Sequence, residues 1–358
     1  MSRRLAGLAA MGAAALTVGA LGVQPASAVE PFGAPQVLVP DCVGTGGDAA
    51  ISSAGTVRGF AECGDTAAPI WFFRAEPGQP TFRQQSPYTG VVLAVAWDGV
   101  SATYVVYNTG SELRIGKRNE GTGSFAQPTT LTFAVGANLP RADVVASAGQ
   151  WWAVWSEQVG PGGEFAQSEL FQKRTLLGMQ LRTRITFTAA NIDDVFPTLS
   201  YYGGAVTLVW TRATNPEQPG PSDLRIARST GGAWSSRPLA TAGDQNTDPD
   251  LLVYGGVTYV AWERDAHIVA ADNASGAFVS HTFATPGADP HIGASLGKTF
   301  VAWNTGSGRV FVAERAGGVW TGAAVTGVPA APLAIPAQGG RARLIYRTDI
   351  DVRIRTQT

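Results

Sequence analysis

The sequence predicts an all-β fold, a seven-bladed β-propeller of four-stranded antiparallel blades, from three observations. An apolar run that ends in an aromatic residue recurs seven times, at spacings of 41 to 55 residues, and a four-stranded blade occupies roughly 40 to 50 residues. The chain contains 45% hydrophobic residues and 44 glycines, which suits many short strands joined by tight turns. The last repeat also lacks a fourth strand, and a matching segment stands near the N-terminus.

The recurring run is the predicted second strand of each blade. Its clearest copies are Thr258 to Trp262 and Thr299 to Trp303. These runs are apolar on both faces, as expected for a strand that lies between two neighbouring blades. The aromatic residues that end the seven runs are Phe60, Tyr107, Trp155, Trp210, Trp262, Trp303 and Tyr346.

The other strands follow from the segments around each run. Before it, the stretches Pro197 to Gly204, Asp248 to Gly256 and Asp289 to Gly297 predict a first strand that lines a central channel and ends in a Gly-containing turn. After it come a third strand and a Gly-rich turn. An aromatic residue then opens the fourth strand, and these residues are Phe82, Phe125, Trp234, Phe278 and Trp320.

The two ends of the chain predict how the ring closes. The last repeat stops after Asp351 to Arg355, which is a third strand. The segment Phe32 to Leu38 matches Phe125 to Leu131, the opening of a fourth strand. Pairing the N-terminal strand with the last blade would remove the open edges that invite aggregation. We therefore expect a single propeller domain over residues 29–358.

Residues 1–28 have the pattern of a signal peptide. Arg3 and Arg4 precede an apolar stretch from Leu5 to Val23, and small residues at 26–28 suit a signal peptidase. The sequence therefore predicts a secreted, extracellular protein. The twin arginines leave open whether export follows the general or the twin-arginine route.

Charge and hydropathy exclude two classes of partner. The net charge is −1 and only 15% of residues are charged, so the chain lacks the basic surface that nucleic acid requires. After the signal peptide, no run approaches the ~18 to 20 apolar residues of a membrane span. We expect a monomer whose partner is a glycan or an extracellular protein.

Two cysteines, Cys42 and Cys63, stand close together in this exported chain. That context favours one disulfide, with two free buried thiols as the alternative. By position, the disulfide would lie beside the pairing of the N-terminal strand.

The segment Ile226 to Trp234 resembles the turn of the sialidase-like propellers, whose Asp-box reads Ser-x-Asp-x-Gly-x-Thr-Trp. Here the Asp and the Thr of that motif are absent, and related turns keep only Gly before an aromatic residue. The resemblance implies a propeller that runs the length of the mature chain, with degenerate Asp-boxes. Sialidases of this family grip the substrate carboxylate with three arginines, but the position of the first arginine is occupied by Gly47 to Ile51. The catalytic residues are therefore not carried over.

Polar residues at the starts of first strands and the ends of second strands should share one face of the propeller. The densest group falls in the fifth and sixth blades and includes two of the three histidines. Carboxylates, a titratable base and a cation are what acid–base chemistry or anion binding needs. Ordinary Asp-Pro turns and rim ion pairs are the alternative interpretation. The candidate ligand-binding residues are Asp250, Glu263, Arg264, His267, Asp289 and His291.

No catalytic set and no metal site stands out in the sequence, and we expect no cofactor. The aspartates that open the first strands could hold Ca²⁺, or they could simply cap turns. Two long loops, Glu157 to Ser168 and Arg212 to Ser222, are either recognition surfaces or plain insertions. The favoured hypothesis is a recognition module that binds glycan or protein. The alternative is a carbohydrate-active enzyme, either a divergent exo-glycosidase or a polysaccharide lyase with His267 or His291 as base and Arg264 neutralising a carboxylate.

Overall fold

The computed structural model describes residues 31–42, 46–64, 68–133, 141–159, 167–188, 192–213, 221–240, 244–326 and 329–358. These residues form strands, turns and irregular segments and contain no helix, so none of them forms an apolar helix that could cross a bilayer. The predicted signal peptide lies outside the described residues, as do the central parts of the two long loops. The predicted all-β class is confirmed.

The strands form six antiparallel sheets. The first strand of the chain, β1 (Gln36–Val39), belongs to the last sheet. The first sheet contains β2 (Gly47–Ile51), β3 (Val57–Glu62), β4 (Pro69–Ala75) and β5 (Phe82–Thr89). The second contains β6 (Val91–Trp97), β7 (Ala102–Asn108), β8 (Glu112–Asn119) and β9 (Thr129–Phe133). The third contains β10 (Ala142–Ser147), β11 (Gln150–Val159), β12 (Gln167–Arg174) and β13 (Gln180–Arg184).

The fourth sheet contains β14 (Asp193–Tyr202), β15 (Ala205–Ala213), β16 (Ser222–Ser229) and β17 (Ser235–Ala240). The fifth has seven strands: β18 (Asn246–Tyr254), β19 (Val257–Arg264), β20 (His267–Asp272), β21 (Val279–Ser295), β22 (Lys298–Thr305), β23 (Val310–Ala316) and β24 (Val319–Ala324). The last contains β25 (Ala331–Ala334), β26 (Ala337–Gln338), β27 (Arg341–Arg347), β28 (Val352–Thr356) and β1.

The seven aromatic residues of the repeat lie on equivalent strands: β3, β7, β11, β15, β19, β22 and β27. Each is at most 2% exposed. Burying an aromatic side chain removes some 150 to 250 Å² of surface from water, so this position contributes strongly to packing in every repeat. The predicted second strands are therefore the most buried part of the fold.

Hydrophobic packing connects each repeat to the next. Buried residues of the described chain form seven clusters, and six of them join consecutive repeats. The remaining cluster joins the last sheet to the first, because Leu38 and Ile354 pack with Val57 and Phe73. In the same region β1 pairs with β28, where Gln36 lies opposite Ile354.

The long strand β21 runs from the fifth repeat into the sixth without a break. Its first half pairs with β20, up to Pro286 opposite His267, and its second half pairs with β22 from Gly287 onward. Gly287 makes this continuous passage possible, since a Cβ atom there would lie 2.1 Å from Cδ1 of Trp303. The fifth sheet thus contains two repeats that share one strand.

Two first strands begin earlier than the sequence predicts from the positions of their prolines. β14 starts at Asp193 and β18 at Asn246, and the prolines lie inside these strands beside a register shift. A bulge accommodates Pro because the bulged residue makes no ladder hydrogen bond there.

Candidate functional site

A cavity of about 1020 Å³ occupies the centre of the molecule. Its wall is formed by the first strand of every repeat, namely β2, β6, β10, β14, β18, the second half of β21, and β25 with β26. The predicted first strands therefore line one common cavity. A volume at the upper end of the usual ~300 to 1,000 Å³ range makes this cavity the principal candidate site.

Three aspartates in the wall of this cavity hold neighbouring first strands together. Each accepts the backbone N–H of the following residue and a second backbone N–H from the next repeat. The second donors are Val95 to Asp48 at 2.7 Å, Leu199 to Asp143 at 2.5 Å, and Ile292 to Asp250 at 2.7 Å. These carboxylates therefore bridge repeats one to two, three to four and five to six.

Burial sets the ionisation of two of these aspartates. Burial raises the pKa of Asp143 to about 7, against the lowering effect of its backbone hydrogen bonds to Leu199 and Val144, and the charge of Asp250 raises it further. Burial also raises the pKa of Asp48 well above its usual range, with a contribution from Asp143 across the cavity. The wall thus carries two carboxyl groups whose pKa values are raised above that of an ordinary aspartate.

Three residues at one end of the cavity share an unusual backbone conformation. Phe196, Asp248 and Asp289 have φ values of 52°, 45° and 52°, and each precedes a proline. Positive φ is uncommon for residues other than glycine and costs on the order of 1 kcal/mol or more. The same bulge thus recurs at the start of three first strands. We call these three residues, together with Arg141 and Glu263 beside them, the channel mouth.

Carboxylates of the channel mouth influence one another. Burial raises the pKa of Asp248, Arg141 lowers it, and the charge of Asp289 raises it again. Burial likewise raises the pKa of Glu263, with further contributions from Asp248 and Asp289. Arg141 stands 3.7 Å from Asp248 and lies over the Phe196 ring at 5.3 Å. Glu263 and Asp289, two of the predicted site residues, therefore share one electrostatic environment.

Asp250 and His291 form a second predicted pair. His291 Nδ1 is 3.9 Å from Asp250 Oδ2, and both residues line the cavity. The side chains are 29% and 31% exposed, so both are accessible from the cavity. The two belong to neighbouring repeats that the Asp250 carboxylate already bridges.

The remaining two predicted residues lie elsewhere. Arg264 donates through Nε to Asn246 at 3.2 Å, and the same atom is 3.7 Å from Asp244. His267 is exposed on the hairpin between β19 and β20, with Nδ1 3.1 Å from the carbonyl oxygen of Asp265. Of the six predicted residues, Asp250, Asp289 and His291 therefore line the cavity, Glu263 lies within electrostatic reach of Asp289, and Arg264 and His267 form a separate hairpin pair.

Arg212, Arg264 and Arg347, at the ends of second strands, do not converge on one pocket. Arg212 makes two hydrogen bonds to the buried Asp194, at 2.8 and 2.9 Å, and Trp210 donates to the same carboxylate at 2.8 Å. Asn246 has the corresponding role for Trp262 and Arg264, at 2.9 and 3.2 Å. Of Arg212, Arg264 and Arg347, only Arg347 lines the cavity.

Sequence reasoning missed two residues of the channel mouth, Arg141 and Phe196. Both stand at the start of a first strand, and the prediction counted only the acidic and histidine side chains there. The Phe-Pro and Asp-Pro pairs were the available signal, because Phe196 occupies the same bulge as Asp248 and Asp289.

Metal binding was considered for the aspartates of the first strands. Over the ranges that the structure describes, no group of three or more His, Cys, Asp or Glu side chains is arranged to hold a metal ion.

Comparison with solved structures shows the architecture. The chain superposes on YCF48, solved bound to a D1 peptide, with a TM-score of 0.53 at 13% identity, over 93% of this chain and 97% of that one. YCF48 is a β-propeller. This chain is a β-propeller as well. A prolyl endopeptidase matches with a TM-score of 0.50 at 10% identity, over 84% of this chain and 46% of that one.

A subtype N10 neuraminidase-like protein from a little yellow-shouldered bat isolate gives a TM-score of 0.48 at 10% identity, over 74% of this chain and 93% of that one. No protein-family model matches the sequence, and no curated protein is significantly similar to it.

Proposed function

We propose that this chain is a secreted, seven-bladed β-propeller that recognises a glycan or an extracellular protein at its channel mouth. Six sheets correspond to seven blades when the seven-stranded sheet is divided within β21. The packing of the last sheet on the first and the pairing of β1 with β28 support a closed ring over residues 29–358.

A place among the sialidase-like propellers is part of this proposal. In the turn after β16, the Ser229 hydroxyl accepts from the N–H of Gly231 at 3.2 Å and donates to the carbonyl of Gly232 at 3.1 Å. Trp234 then packs edge-on against Trp152, with ring centroids 5.2 Å apart. A serine that orders the turn before a packed tryptophan supports a degenerate Asp-box.

Secretion is supported by the disulfide between Cys42 and Cys63, because disulfides persist in oxidising compartments. The predicted signal peptide over residues 1–28 agrees with it, although that segment lies outside the described residues.

One observation carries the preference for recognition over catalysis. Arg212 and Arg264, which would have to grip a substrate carboxylate together, are held by Asp194 and Asn246 of their own blades. The channel mouth nevertheless keeps Arg141, Phe196 and several carboxylates around an open cavity. Such a surface offers donors, acceptors and an aromatic ring without an assembled catalytic set.

Both classes of ligand suit this surface. Carboxylates accept hydrogen bonds from sugar hydroxyls or from peptide N–H groups, and the Phe196 ring offers an apolar face. The YCF48 structure contains a bound peptide, which supports a protein ligand for a propeller of this shape. The loops Glu157 to Ser168 and Arg212 to Ser222 are proposed as the rim of the same surface.

The test is binding of the full secreted chain to a glycan array and to immobilised extracellular proteins. We expect saturable binding and no turnover, with binding lost when Asp248→Asn, Glu263→Gln and Asp289→Asn are combined. Glu76→Gln, exposed in the turn between β4 and β5, is the matched control. Binding that survives both the triple substitution and replacement of the 157–168 loop would contradict the proposed site.

The alternative, a carbohydrate-active enzyme, is favoured by the placement of His291 beside Asp250 in the cavity wall. A carboxylate orients an imidazole for proton transfer, as a glycosidase or a lyase requires. This hypothesis predicts chromophore release from aryl glycosides, or rising absorbance from an unsaturated uronate product. His291→Ala should abolish that activity. Activity that is lost in His291→Ala and kept in His267→Ala would identify His291 as the base. An inert wild-type protein on a broad polysaccharide panel would reject it.

A further inference from the structure

A second cavity lies between the first and second sheets and shares no lining residue with the central one. Its volume is about 300 Å³, the lower end of the usual ~300 to 1,000 Å³ range for ligand sites. It is bounded by the end of β5, by residues of β7 and β8, and by the segment from Phe125 to Pro128. A cavity of this size accommodates one small ring.

Aromatic packing fixes the wall of this second cavity. Tyr88 stacks on Tyr107 with ring centroids 5.3 Å apart, and Phe125 meets Tyr88 edge-on at 5.6 Å. The Tyr88 hydroxyl donates to the carbonyl of Ala126 at 2.7 Å. Gly116 permits this position, since a Cβ atom there would lie 2.4 Å from Cε2 of Tyr88. The wall is therefore formed before any ligand arrives, which lowers the ordering cost of binding.

A polar corner completes the second cavity. Arg114 donates through Nε to Glu112 at 2.6 Å, and Thr130 donates to the same carboxylate at 3.2 Å. The pair orients Arg114, whose side chain is 36% exposed, and the two charges cancel. The exposed Gln127 also lines the cavity, and its amide offers donors and an acceptor.

We propose that this second cavity binds a single neutral pyranose ring, either as a free sugar or as the terminal residue of a glycan. The exposed lining is mostly polar, which suits a polyol, and Pro87, Phe125 and Pro128 add a small apolar area for the C–H face of the ring. Arg114 and Gln127 supply hydrogen bonds for adjacent hydroxyl groups. The zero net charge of the polar corner disfavours an ionic ligand and suits an uncharged polyol. This site is separate from the channel mouth and does not depend on the function proposed for it.

The test uses saturation-transfer NMR and calorimetry with the full chain and a set of methyl pyranosides of glucose, galactose, mannose, xylose and N-acetylglucosamine. We expect saturation transfer to at least one of them. Arg114→Ala should weaken its binding about tenfold or more, because a charge-assisted hydrogen bond is lost. Thr89→Trp, which adds bulk at an exposed position of the lining, should abolish it.

Two controls separate this site from the channel mouth. Arg341→Ala removes an exposed arginine at the start of β27 in the last sheet, which contributes no residue to the second cavity, and should leave binding unchanged. Combined Glu263→Gln and Asp289→Asn is the second control. Pyranoside binding that is lost in that variant and kept in Arg114→Ala would place the sugar at the channel mouth and overturn this site. The proposal is overturned if no pyranoside shows saturation transfer. It is equally overturned if binding persists in both Arg114→Ala and Thr89→Trp, since each variant is checked for an unchanged melting temperature. A glycan array with matching terminal residues then distinguishes a glycan end from a free sugar.

Discussion

Cys42 and Cys63 form a disulfide that joins the N-terminal segment to the first sheet. Cys42 follows β1, which pairs with β28, and its N–H donates to the carbonyl of Ile350 at 2.7 Å. Cys63 follows β3, and its N–H donates to the carbonyl of Pro69 at 3.1 Å. The disulfide therefore links the last sheet covalently to the first.

Reducing this disulfide should lower the melting temperature. A cross-link over a sequence separation of 21 residues restricts the unfolded chain, which stabilises the fold by about 3 kcal/mol on the chain-entropy model. Thermal unfolding with and without dithiothreitol measures the effect. The double variant Cys42→Ser, Cys63→Ser should melt at the lower temperature and ignore the reductant. An unchanged wild-type melting temperature would mean that strand pairing and packing alone hold the two sheets together.

Replacing Gly287 with alanine should destabilise the fold. The added Cβ would lie 2.1 Å from Cδ1 of Trp303 and 2.4 Å from the carbonyl oxygen of Asn304. Because Trp303 is fully buried, relief requires a shift of the core, and overpacking of this kind costs about 1 to 3 kcal/mol. Urea unfolding measures the loss. Gly306→Ala is the matched control, since nothing lies within 4 Å of a Cβ there. Equal stability of the two variants would show that Trp303 moves freely.

The repeat frame could be predicted from the sequence because it depends on local pattern. Aromatic residues at a regular spacing mark the strand that is buried on both faces, and all seven are buried in the structure. The Cys42–Cys63 disulfide was predictable for a similar reason, since the chain offers one pair only. The continuous strand β21 was not predictable, because Pro286 and Gly287 read equally well as a loop.

The partners of the polar residues could not be predicted in the same way. Arg212 and Arg264 read as ligand-face arginines, but acceptors on the preceding strand hold them. A signal for this existed in the spacing: Asp194 and Asn246 each stand 16 residues before the tryptophan whose indole N–H they accept. The bridges of Asp48, Asp143 and Asp250 to the next repeat depend on the distance between blades, which no local pattern encodes.

Removing the Asp194 carboxylate should cost more stability than removing the Asn246 amide. Asp194→Ala leaves the buried indole N–H of Trp210 and the Arg212 guanidinium without their acceptor, and breaking a buried charged pair costs about 3 to 5 kcal/mol. The partly exposed Arg212 reduces this toward about 2 to 3 kcal/mol. Asn246→Ala removes a neutral amide that accepts from Trp262 and Arg264 and donates to the carbonyls of Ser222 and Asp244. Because no buried carboxylate is lost, it should cost about 1 to 2 kcal/mol. Urea unfolding of both variants checks the order, and the reverse order would show that Arg212 does not depend on Asp194.

Stability should fall as the pH rises through neutrality. Burial raises the pKa of Asp143 from its ordinary 3.8 to about 7 in the folded protein, so the folded state binds this proton more tightly than the unfolded chain does. The stability that the protonated carboxyl contributes is complete below the unfolded pKa and is lost as the pH rises through about 7. The melting temperature of the wild type should therefore decrease between about pH 5 and about pH 8.

Asp143→Asn isolates this contribution, because an amide oxygen can still accept from the N–H of Leu199 but cannot ionise. Its melting temperature should depend less on pH than that of the wild type. The remaining slope combines Asp48, Asp248 and Glu263, whose pKa values burial raises, with an opposing contribution from His281, whose pKa burial lowers. At Asp98 burial is outweighed by four backbone N–H donors that lower the pKa, so Asp98→Asn should leave the slope above pH 5 as it is in the wild type. A wild-type melting temperature that stays constant across this range would show that water reaches Asp143 and keeps its pKa ordinary.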